Sequence, residues 1–388
     1  MNARVNVEFH KEYQLQKEEG RKKMKLQRSP FIFLIVILAV ALVAGCTYTL
    51  APIEGEMPAE AEAVEAAVDW TAPEDALVSL PVDTAPTLDG MADDAMWADA
   101  AGVSIDVEDG ANMGETVVNV KSVYADDMVY FLVEWADPVN NFMRSPWQKQ
   151  EDGSWARLID PDNRGGDNNV YYEDKMAFIW PIGESIRGFD SKGCYTACHD
   201  GENEDVKPYG NKYTQEGEMG DIWHWKSVRN VGQVDDQYLD STEYSPETPS
   251  AGRHGDPKDG GGYVNNDNED KSAPMWMGPE GYPVDGSPGY ILDSEKLPFD
   301  DSLFAVGDMV AGVTTAPFEG DRGDLSAGAN WADGMWTLEI GRKLVTGSDY
   351  DVQYDDLSKS YYFGVAVFDN AQVRHAYQFK SEELVFQP

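Results

Sequence analysis

The sequence predicts an all-β protein, an immunoglobulin-like antiparallel β-sandwich with a long loop-rich insertion. Three observations support this fold class. Apolar and polar residues alternate over short segments, turn residues separate these segments, and convincing amphipathic helices are few. The 388 residues, of which 42% are apolar and 11% aromatic, are enough for a large buried core without a disulfide framework.

The first 45 residues are typical of an export signal. Basic residues between positions 21 and 28 precede Phe31–Gly45, an uninterrupted apolar run of 15 residues. A permanent membrane helix needs about 20 apolar residues, so this run is short for one. Small residues lead into Cys46, a pattern that resembles the lipobox of bacterial lipoproteins and predicts lipidation at Cys46. An uncleaved signal anchor is the alternative. Met24 is a candidate for the true start, because the residues before it are polar and of mixed charge.

Residues 46–78 are rich in Ala, Glu and Pro and lack a core-like period. They are expected to form an acidic tether that holds the following domain off a membrane. Export and lipidation together predict anchoring on the outer side of the cytoplasmic membrane, in the periplasm or at the cell surface. The folded domain is expected to occupy residues 79–388, with the insertion at about 183–300.

The net charge argues against several classes of partner. The chain has 30 Lys and Arg against 70 Asp and Glu, which gives −40. Residues 1–45 hold eight basic and four acidic residues, so the remainder carries −44. Such a charge argues against binding nucleic acid or anionic lipid through the folded surface. It suits fast docking to a basic face of a redox partner.

The predicted strands lie on both sides of the insertion. They are Thr116–Tyr124, Met128–Trp135, Lys175–Ile182, Leu303–Val313, Met335–Ile340, Tyr361–Phe368 and a closing segment, Arg374–Phe386. Between residues 183 and 300 the alternation breaks down, and 17 Gly and 9 Pro fall in these 118 residues. A long irregular stretch inside a compact domain is usually functional. This one contains two of the three cysteines and three of the five histidines.

Residues 194–199 contain the pattern Cys-x₃-Cys-His. Covalent haem attachment needs two close thiols for the vinyl groups and a histidine directly after them for the iron. The common spacing has two residues between the cysteines, and three is a rarer variant. The pattern predicts one covalent haem c held by Cys194 and Cys198, with His199 as the proximal ligand. Tyr195 is expected in the haem pocket. A local Cys194–Cys198 disulfide and a zinc site are the alternatives.

His224 is the predicted distal iron ligand. A second axial ligand suits electron transfer, because a saturated iron changes little on reduction. Trp223 and Trp225 flank His224 and are expected to line the pocket and keep it apolar. The alternative is that His224 is an ordinary packing or surface histidine. Other candidate ligands are Met219, Met275, Met277 and Lys226.

Other patterns carry less chemistry. His375 is expected to be structural. The Asp- and Asn-rich loops Asp160–Asn169 and Asn265–Asp270 lack the spacing of an EF-hand loop and are expected to be solvated turns. The sequence has no Gly-rich phosphate loop, no Ser/His/Asp order and no metalloprotease helix motif.

Several short motifs follow one another along residues 80–388. They are Thr87-Leu88-Asp89-Gly90, Trp135-Ala136-Asp137-Pro138, Glu173-Asp174-Lys175, the Cys-x₃-Cys-His segment, Asp221–Lys226 and Gly334-Met335-Trp336-Thr337. Their order resembles the haem-binding domain of the ethylbenzene dehydrogenase γ-subunit family. The resemblance implies a β-sandwich that binds one haem. It also implies electron exchange with a molybdenum enzyme of the dimethyl sulfoxide reductase family through an iron–sulfur subunit.

The sequence departs from those γ-subunits in its haem motif. They hold a b-type haem through Met and Lys, whereas the Cys-x₃-Cys-His pattern points to covalent haem c. The sequence therefore predicts an exported, lipid-anchored monohaem cytochrome c that transfers electrons as or with the γ-type subunit of a molybdopterin oxidoreductase and is not itself the catalyst. The alternative is an extracellular carbohydrate- or ligand-binding sandwich module with a Cys194–Cys198 disulfide.

Overall fold

The computed structural model describes residues 70–112, 114–161, 168–197, 212–279 and 289–388. The predicted signal, the lipidation site Cys46 and almost all of the tether lie outside the described residues. Cys198 and His199 of the haem motif also lie outside them.

The described residues are mostly β-structure. The strands are β1 (Leu77–Pro81), β2 (Val103–Val107), β3 (Thr116–Ala125), β4 (Met128–Ala136), β5 (Trp147–Lys149), β6 (Trp155–Arg157), β7 (Lys175–Pro181), β8 (Gly220–Lys226), β9 (Asp235–Leu239), β10 (Arg253–Gly255), β11 (Gly260–Asn265), β12 (Trp276–Met277), β13 (Ile291–Leu292), β14 (Leu297–Pro298), β15 (Met309–Val310), β16 (Val313–Glu319), β17 (Ser326–Ala332), β18 (Met335–Lys343), β19 (Tyr361–Phe368), β20 (Ala376–Tyr377) and β21 (Glu382–Phe386). The helices are α1 (Met96–Asp99) and α2 (Phe189–Lys192), and 3₁₀ turns occur at Ile182–Glu184, Gly193–Thr196, Asp301–Leu303 and Asp321–Gly323.

Two facing layers form the sandwich. The strand order is β10-β9-β8-β7-β19-β21-β1-β3-β4-β18-β17, with β2 beside β3 and β20 beside β19. Strand β19 belongs to both layers, because residues 361–363 pair with β21 and residues 364–368 pair with β7. Phe131 on β4 lies against Phe178 on β7 and Trp223 on β8, with ring centroids 5.8 and 5.5 Å apart. The prediction of an all-β sandwich is confirmed.

The pairing is not purely antiparallel. Strand β1 runs parallel to both of its neighbours, β21 and β3. The hairpin β3–β4 and the pairs β4–β18, β7–β8 and β7–β19 are antiparallel, as expected. The first strand therefore enters between two strands that already run in one direction.

Large aromatic side chains fill the space between the layers. Trp135, Trp180, Trp223 and Phe363 are fully buried in this core. Trp180 packs against Phe363 with ring centroids 4.7 Å apart. Burying apolar side chains of this size is the main stabilising contribution to such a fold.

Part of the expected insertion belongs to the main sheet. Strands β8 and β9 extend the layer that begins with β19 and β7. Every residue of β8 is buried, so the strand has no apolar and polar alternation to reveal it. The segment 303–313, expected as one strand, contributes only the two residues of β15 to a small sheet with β5 and β6. A second core of Trp147, Trp155 and neighbouring residues lies beside that sheet.

Within the described part of the chain, no helix has the length and apolar character needed to cross a membrane.

Candidate functional site

A cavity of about 1160 Å³, including its open mouth, lies on the outer face of the layer β9-β8-β7-β19. Side chains from β7, β8, β9 and β19 form its floor. The 3₁₀ turn Gly193–Thr196, Tyr263 of β11 and the segment after β19 contribute further lining residues.

Successive side chains of β8 point to opposite faces of the sheet, and this decides which of them reach the cavity. Ile222, His224 and Lys226 line it. Trp223 and Trp225 point to the opposite face and belong to the core between the layers. The two tryptophans that are expected to line the haem pocket therefore do not line this cavity. Successive side chains of a regular strand face opposite sides of the sheet. The residues directly before and after His224 therefore cannot line the same cavity as His224.

His224 has the environment of a neutral metal ligand. The residue is only 5% exposed, and its ring stacks on Phe368 with centroids 5.4 Å apart. Its Nδ1 lies 3.5 Å from Oε1 of Gln237, whereas Nε2 has no hydrogen-bond partner among the described residues. Burial, followed by the charges of Lys226 and Lys175, holds the pKa of His224 well below its usual value. A neutral imidazole with an unused nitrogen in a cavity can bind a metal ion.

Gln237 is itself held in place. Its Nε2 donates a hydrogen bond of 2.9 Å to Asp235 Oδ2, which leaves Oε1 facing His224. Asp235 is fully buried and pairs with Lys226 and Arg322. Oε1 can accept a hydrogen from Nδ1, and that tautomer keeps the lone pair on Nε2.

Cys194 lines the same cavity as His224. It is buried, and its Sγ donates to the carbonyl oxygen of Gln378 at 3.7 Å. The residue before it, Gly193, has a φ of +54°, and a Cβ there would lie 2.5 Å from the carbonyl oxygen of Lys380. Glycine therefore allows the motif segment to lie against the chain that leads into β21. Beneath it, a Cβ on Gly364 would lie 3.9 Å from that of Cys194.

Tyr195 does not line the cavity. Its hydroxyl lies 3.0 Å from that of Tyr377, and its ring stacks on Phe379 at 5.7 Å. The expectation that Tyr195 belongs to the pocket is corrected. Neighbouring residues of a 3₁₀ turn point in different directions, so Cys194 and Tyr195 separate there.

The alternative ligands divide in the same way. Lys226 lines the cavity, but its Nζ is paired with Asp235. Met219 precedes β8 and is not a lining residue, Met275 is 45% exposed, and Met277 packs beside the second core. None of the three methionines lines this cavity. His254 also lies elsewhere, stacked on Tyr238 at 5.0 Å.

The lining is strongly basic, although the chain is strongly acidic. It includes five Lys or Arg residues and no Asp or Glu among the described residues, namely Lys175, Lys212, Lys226, Arg229 and Arg253. Arg229 pairs with Glu173, and Lys226 pairs with Asp235. Lys175 and Arg253 have no ion-pair partner within the described ranges. A cavity with this charge suits a ligand that carries anionic groups.

Sequence reasoning missed most of these cations and also His375. Lys175 is 1% exposed, and its Nζ donates to the carbonyl oxygen of Gln372 at 3.0 Å. The same Nζ lies 3.8 Å from the ring centroid of Phe368. Burial, followed by the charge of Arg229, lowers the pKa of Lys175 well below its usual value. The sequence contains one signal for this site, because Lys175 is the first residue of a strand whose other residues are apolar.

His375, expected to be structural, also lines the cavity. Its ring lies 4.9 Å from that of Phe368, the residue on which His224 stacks. The loop Asn265–Asp270 is a hydrogen-bonded turn in which Asn266 is fully buried. The loop Asp160–Asn169 lies partly outside the described residues.

The fold and this cavity define a β-sandwich domain with a basic cavity on one face. The chain belongs to the ethylbenzene dehydrogenase family, which matches residues 94–380.

Solved structures are similar at low identity. One is a family 9 carbohydrate-binding module from Caldicellulosiruptor kristjanssonii in complex with glucose, with 9% identity, 80% of this chain and 95% of that chain covered, and a TM-score of 0.32. Another is such a module from the same organism in complex with cellotriose, with 10% identity, 80% and 94% covered, and a TM-score of 0.29. The comparison with curated proteins gives no match.

Proposed function

We propose that the chain is an electron-transfer cytochrome that holds one haem c in this cavity. Cys194 and Cys198 would carry the thioether bonds, His199 would bind the iron on one side and His224 on the other. Bound haem supplies a reversible one-electron change at iron.

The observation that carries the proposal is that Cys194 and His224 line the same cavity. They are 30 positions apart in sequence and line one cavity. His224 offers a buried nitrogen without a hydrogen-bond partner in the described part of the chain. Leaving such a polar atom unsatisfied costs about 1–3 kcal/mol, which a metal–nitrogen bond would remove.

The basic lining supports the same ligand. Haem carries two propionate groups, and neither Lys175 nor Arg253 has an ion-pair partner within the described ranges. Burial lowers the pKa of Lys175, and a propionate beside it would favour its charged form. Phe368 would hold the ring of His224 in place through stacking, and Gln237 would fix its tautomer.

The wider role follows from the family and the sequence. We propose an exported protein, anchored to the membrane through lipidated Cys46, that passes electrons and does not itself convert a substrate. Its redox partner would be a molybdopterin catalytic subunit with an iron–sulfur subunit. The exported chain, with a net charge of −44 after removal of residues 1–45, would steer towards a basic docking face and release it quickly.

Covalent haem is the first test. The full chain is produced together with a c-type haem maturation system, separated on a denaturing gel and stained for haem peroxidase activity. A stained band that Cys194→Ala together with Cys198→Ala removes is the expected result. An unstained chain that folds normally would overturn the cytochrome and leave the alternative, a ligand-binding module with a Cys194–Cys198 disulfide.

The distal ligand is tested by His224→Ala. The wild-type absorption spectrum is expected to be low-spin, and the variant should become high-spin and bind added imidazole or cyanide. His254→Ala is the matched control, because His254 lies outside the cavity and pairs with Asp240 at 3.2 Å. A low-spin spectrum that survives His224→Ala would exclude this ligand and direct attention to Lys226 and His375.

A further inference from the structure

Four buried aspartates converge on the opposite face of β8 and β9 from the cavity. Asp221, Asp236, Asp256 and Asp351 are each 2% exposed or less. One carboxylate oxygen from each of Asp221, Asp236 and Asp351 lies within 4.8 Å of the others. Asp256 follows β10, and its backbone N–H donates to the carbonyl oxygen of Asp236 at 3.2 Å. We call these four residues the aspartate cluster.

Each aspartate of the trio uses one oxygen for protein hydrogen bonds. Oδ2 of Asp221 accepts from the backbone N–H of Val352 at 2.9 Å and from Nε1 of Trp223 at 3.0 Å. Oδ1 of Asp236 accepts from the backbone N–H of Gln237 at 3.0 Å. Oδ2 of Asp351 accepts from the hydroxyl of Thr346. These bonds fix the orientation of all three carboxylates.

The remaining oxygens have no hydrogen-bond partner within the described ranges. They are Asp221 Oδ1, Asp236 Oδ2, Asp351 Oδ1 and both carboxylate oxygens of Asp256. Buried carboxylate oxygens are normally hydrogen-bonded or bound to a cation, because an unsatisfied one is costly. The cluster therefore presents five acceptor atoms that no described donor satisfies, and the carboxyl groups of Asp256 and Asp351 neighbour each other closely enough to share a proton.

The charge of the cluster is only partly balanced by the protein. Arg342 is fully buried, with Nη2 at 2.9 Å from Asp351 Oδ2 and Nη1 at 3.7 Å from Asp221 Oδ2. Arg342 faces Asp221, Asp236 and Asp351, and Arg322, which pairs with Asp235, lies near Asp256. Burial and the neighbouring carboxylates raise the pKa of Asp221 and that of Asp256, because ionised carboxylates this close repel one another.

We propose that the aspartate cluster is a structural Ca²⁺ site. Ca²⁺ binds carboxylate oxygens at about 2.3–2.6 Å in irregular geometries, so two oxygens on opposite sides of it are about 4.6–5.2 Å apart. The oxygens of the trio fit within that span. Mg²⁺ fits less well, because it demands an octahedron and keeps several water ligands. The bound ion joins β8, β9 and the loop after β18, and so braces the strand that carries His224 from its other face.

A second acidic group shares these features only in part, since a single buried oxygen in it, Asp137 Oδ2, has no hydrogen-bond partner within the described ranges. Asp137, Asp174 and Asp369 also bring oxygens within 4.8 Å of one another. Oδ1 of Asp174 accepts from the backbone N–H of Asn370, and its Oδ2 accepts from Asn141 and Trp336. Both carboxylate oxygens of Asp174 therefore already accept hydrogen bonds from the protein. Asp137→Asn serves as the matched control for the aspartate cluster.

The experiment uses the full chain as purified, stripped with EGTA and dialysed into metal-free buffer at pH 7. Bound calcium is measured by elemental analysis, and Tm is measured with added Ca²⁺ or Mg²⁺. With Ca²⁺ at 100 times its dissociation constant, Tm should rise by about 4 °C, and Mg²⁺ should raise it much less. Asp236→Asn should abolish the rise and remove one bound calcium per chain, because its Oδ1 can still accept from Gln237 while the ligand charge is lost. Asp137→Asn should keep both.

Three results would overturn the proposal. The first is a stripped wild-type chain that binds no calcium and shows no rise in Tm, which needs no variant to fold. The second is calcium binding that Asp137→Asn abolishes and Asp236→Asn retains, which moves the ion to the second acidic group. The third is an Asp236→Asn chain that is more stable than the wild type while neither binds calcium, which shows that protons alone balance the cluster.

Discussion

Replacing Glu173 with Ala is expected to lower the free energy of unfolding by about 3–5 kcal/mol, the range for breaking a buried ion pair. Glu173 is fully buried two residues before β7, and its Oε1 accepts from Nε of Arg229. Its Oε2 accepts from the backbone N–H groups of Val228 at 2.9 Å and Arg229 at 3.0 Å. The variant leaves a guanidinium that is 8% exposed without a carboxylate, together with two backbone donors. The ring of Tyr263, whose centroid lies 4.8 Å from the guanidinium, still stabilises the charge of Arg229 in the variant.

Glu173→Gln separates the two contributions. Its amide oxygen can still accept from the backbone N–H groups of Val228 and Arg229, whereas the charge and the hydrogen bond from Nε of Arg229 are lost, so a smaller destabilisation than in Glu173→Ala is expected. Burial alone would raise the pKa of Glu173, but the charge of Arg229 and other cations lowers it below its usual value. The stability from the pair is therefore fully present above the unfolded pKa of about 4.3 and is lost as the pH falls through the lower folded pKa.

Urea unfolding followed by tryptophan fluorescence at pH 7 and near pH 3 measures both effects. The midpoint should fall in each variant while the slope with urea stays unchanged. The difference between wild type and Glu173→Gln should shrink at the lower pH. A loss below about 1 kcal/mol for Glu173→Ala at pH 7, or an equal loss for the two variants, would refute the reasoning.

Two further changes test the site and its surroundings. Gly193→Ala should lower the free energy of unfolding by about 1–3 kcal/mol and reduce the yield of covalent haem, because of its φ of +54° and the close carbonyl of Lys380. Gly188→Ala is the control and should lose less stability, because no atom lies closer than 3.8 Å to a Cβ at that position. Equal losses of stability would contradict the role of the close carbonyl. Asp137→Asn should raise Tm above pH 6, because burial raises the pKa of Asp137 to about 6 and the wild type loses stability as the pH rises from about 4 to 6. A Tm series from pH 4 to 8 measures this gain, and a gain that is largest at pH 4 would contradict it.

The predicted Thr116–Tyr124 and Met128–Trp135 differ from β3 and β4 by one residue at one end. The first part of β3 alternates between exposed and buried residues, and this alternation makes the strand predictable. Strand β4 is buried on both faces and is predictable from its aromatic and β-branched residues and from the turn that precedes it. Strands β8 and β9 were missed because the cavity buries polar side chains on the face that would otherwise meet water. Polar residues that face a buried site cannot be told from loop residues by pattern alone.

The candidate site was predictable only where its residues form a local motif. Cys194 and His224 could be named because cysteine and histidine are scarce in this chain. The cations Lys175, Arg229 and Arg253 come from separate elements, and only the sheet order brings them together. Their convergence is a long-range property, so no spacing in the sequence reveals it. The aspartate cluster was missed for the same reason.

Strand β8 links the core, the cavity and the aspartate cluster through its period of two. Asp221 and Trp223 face inwards, whereas His224 and Lys226 face the cavity. A shift of one residue in the pairing with β7 would exchange the two sets and bury charged groups among the core aromatics. The large free-energy difference between these registers fixes the position of His224 without any contact to a ligand. The apolar core and the ion pairs therefore prearrange the cavity, and a bound ion at Asp221 would hold the same register from the other face.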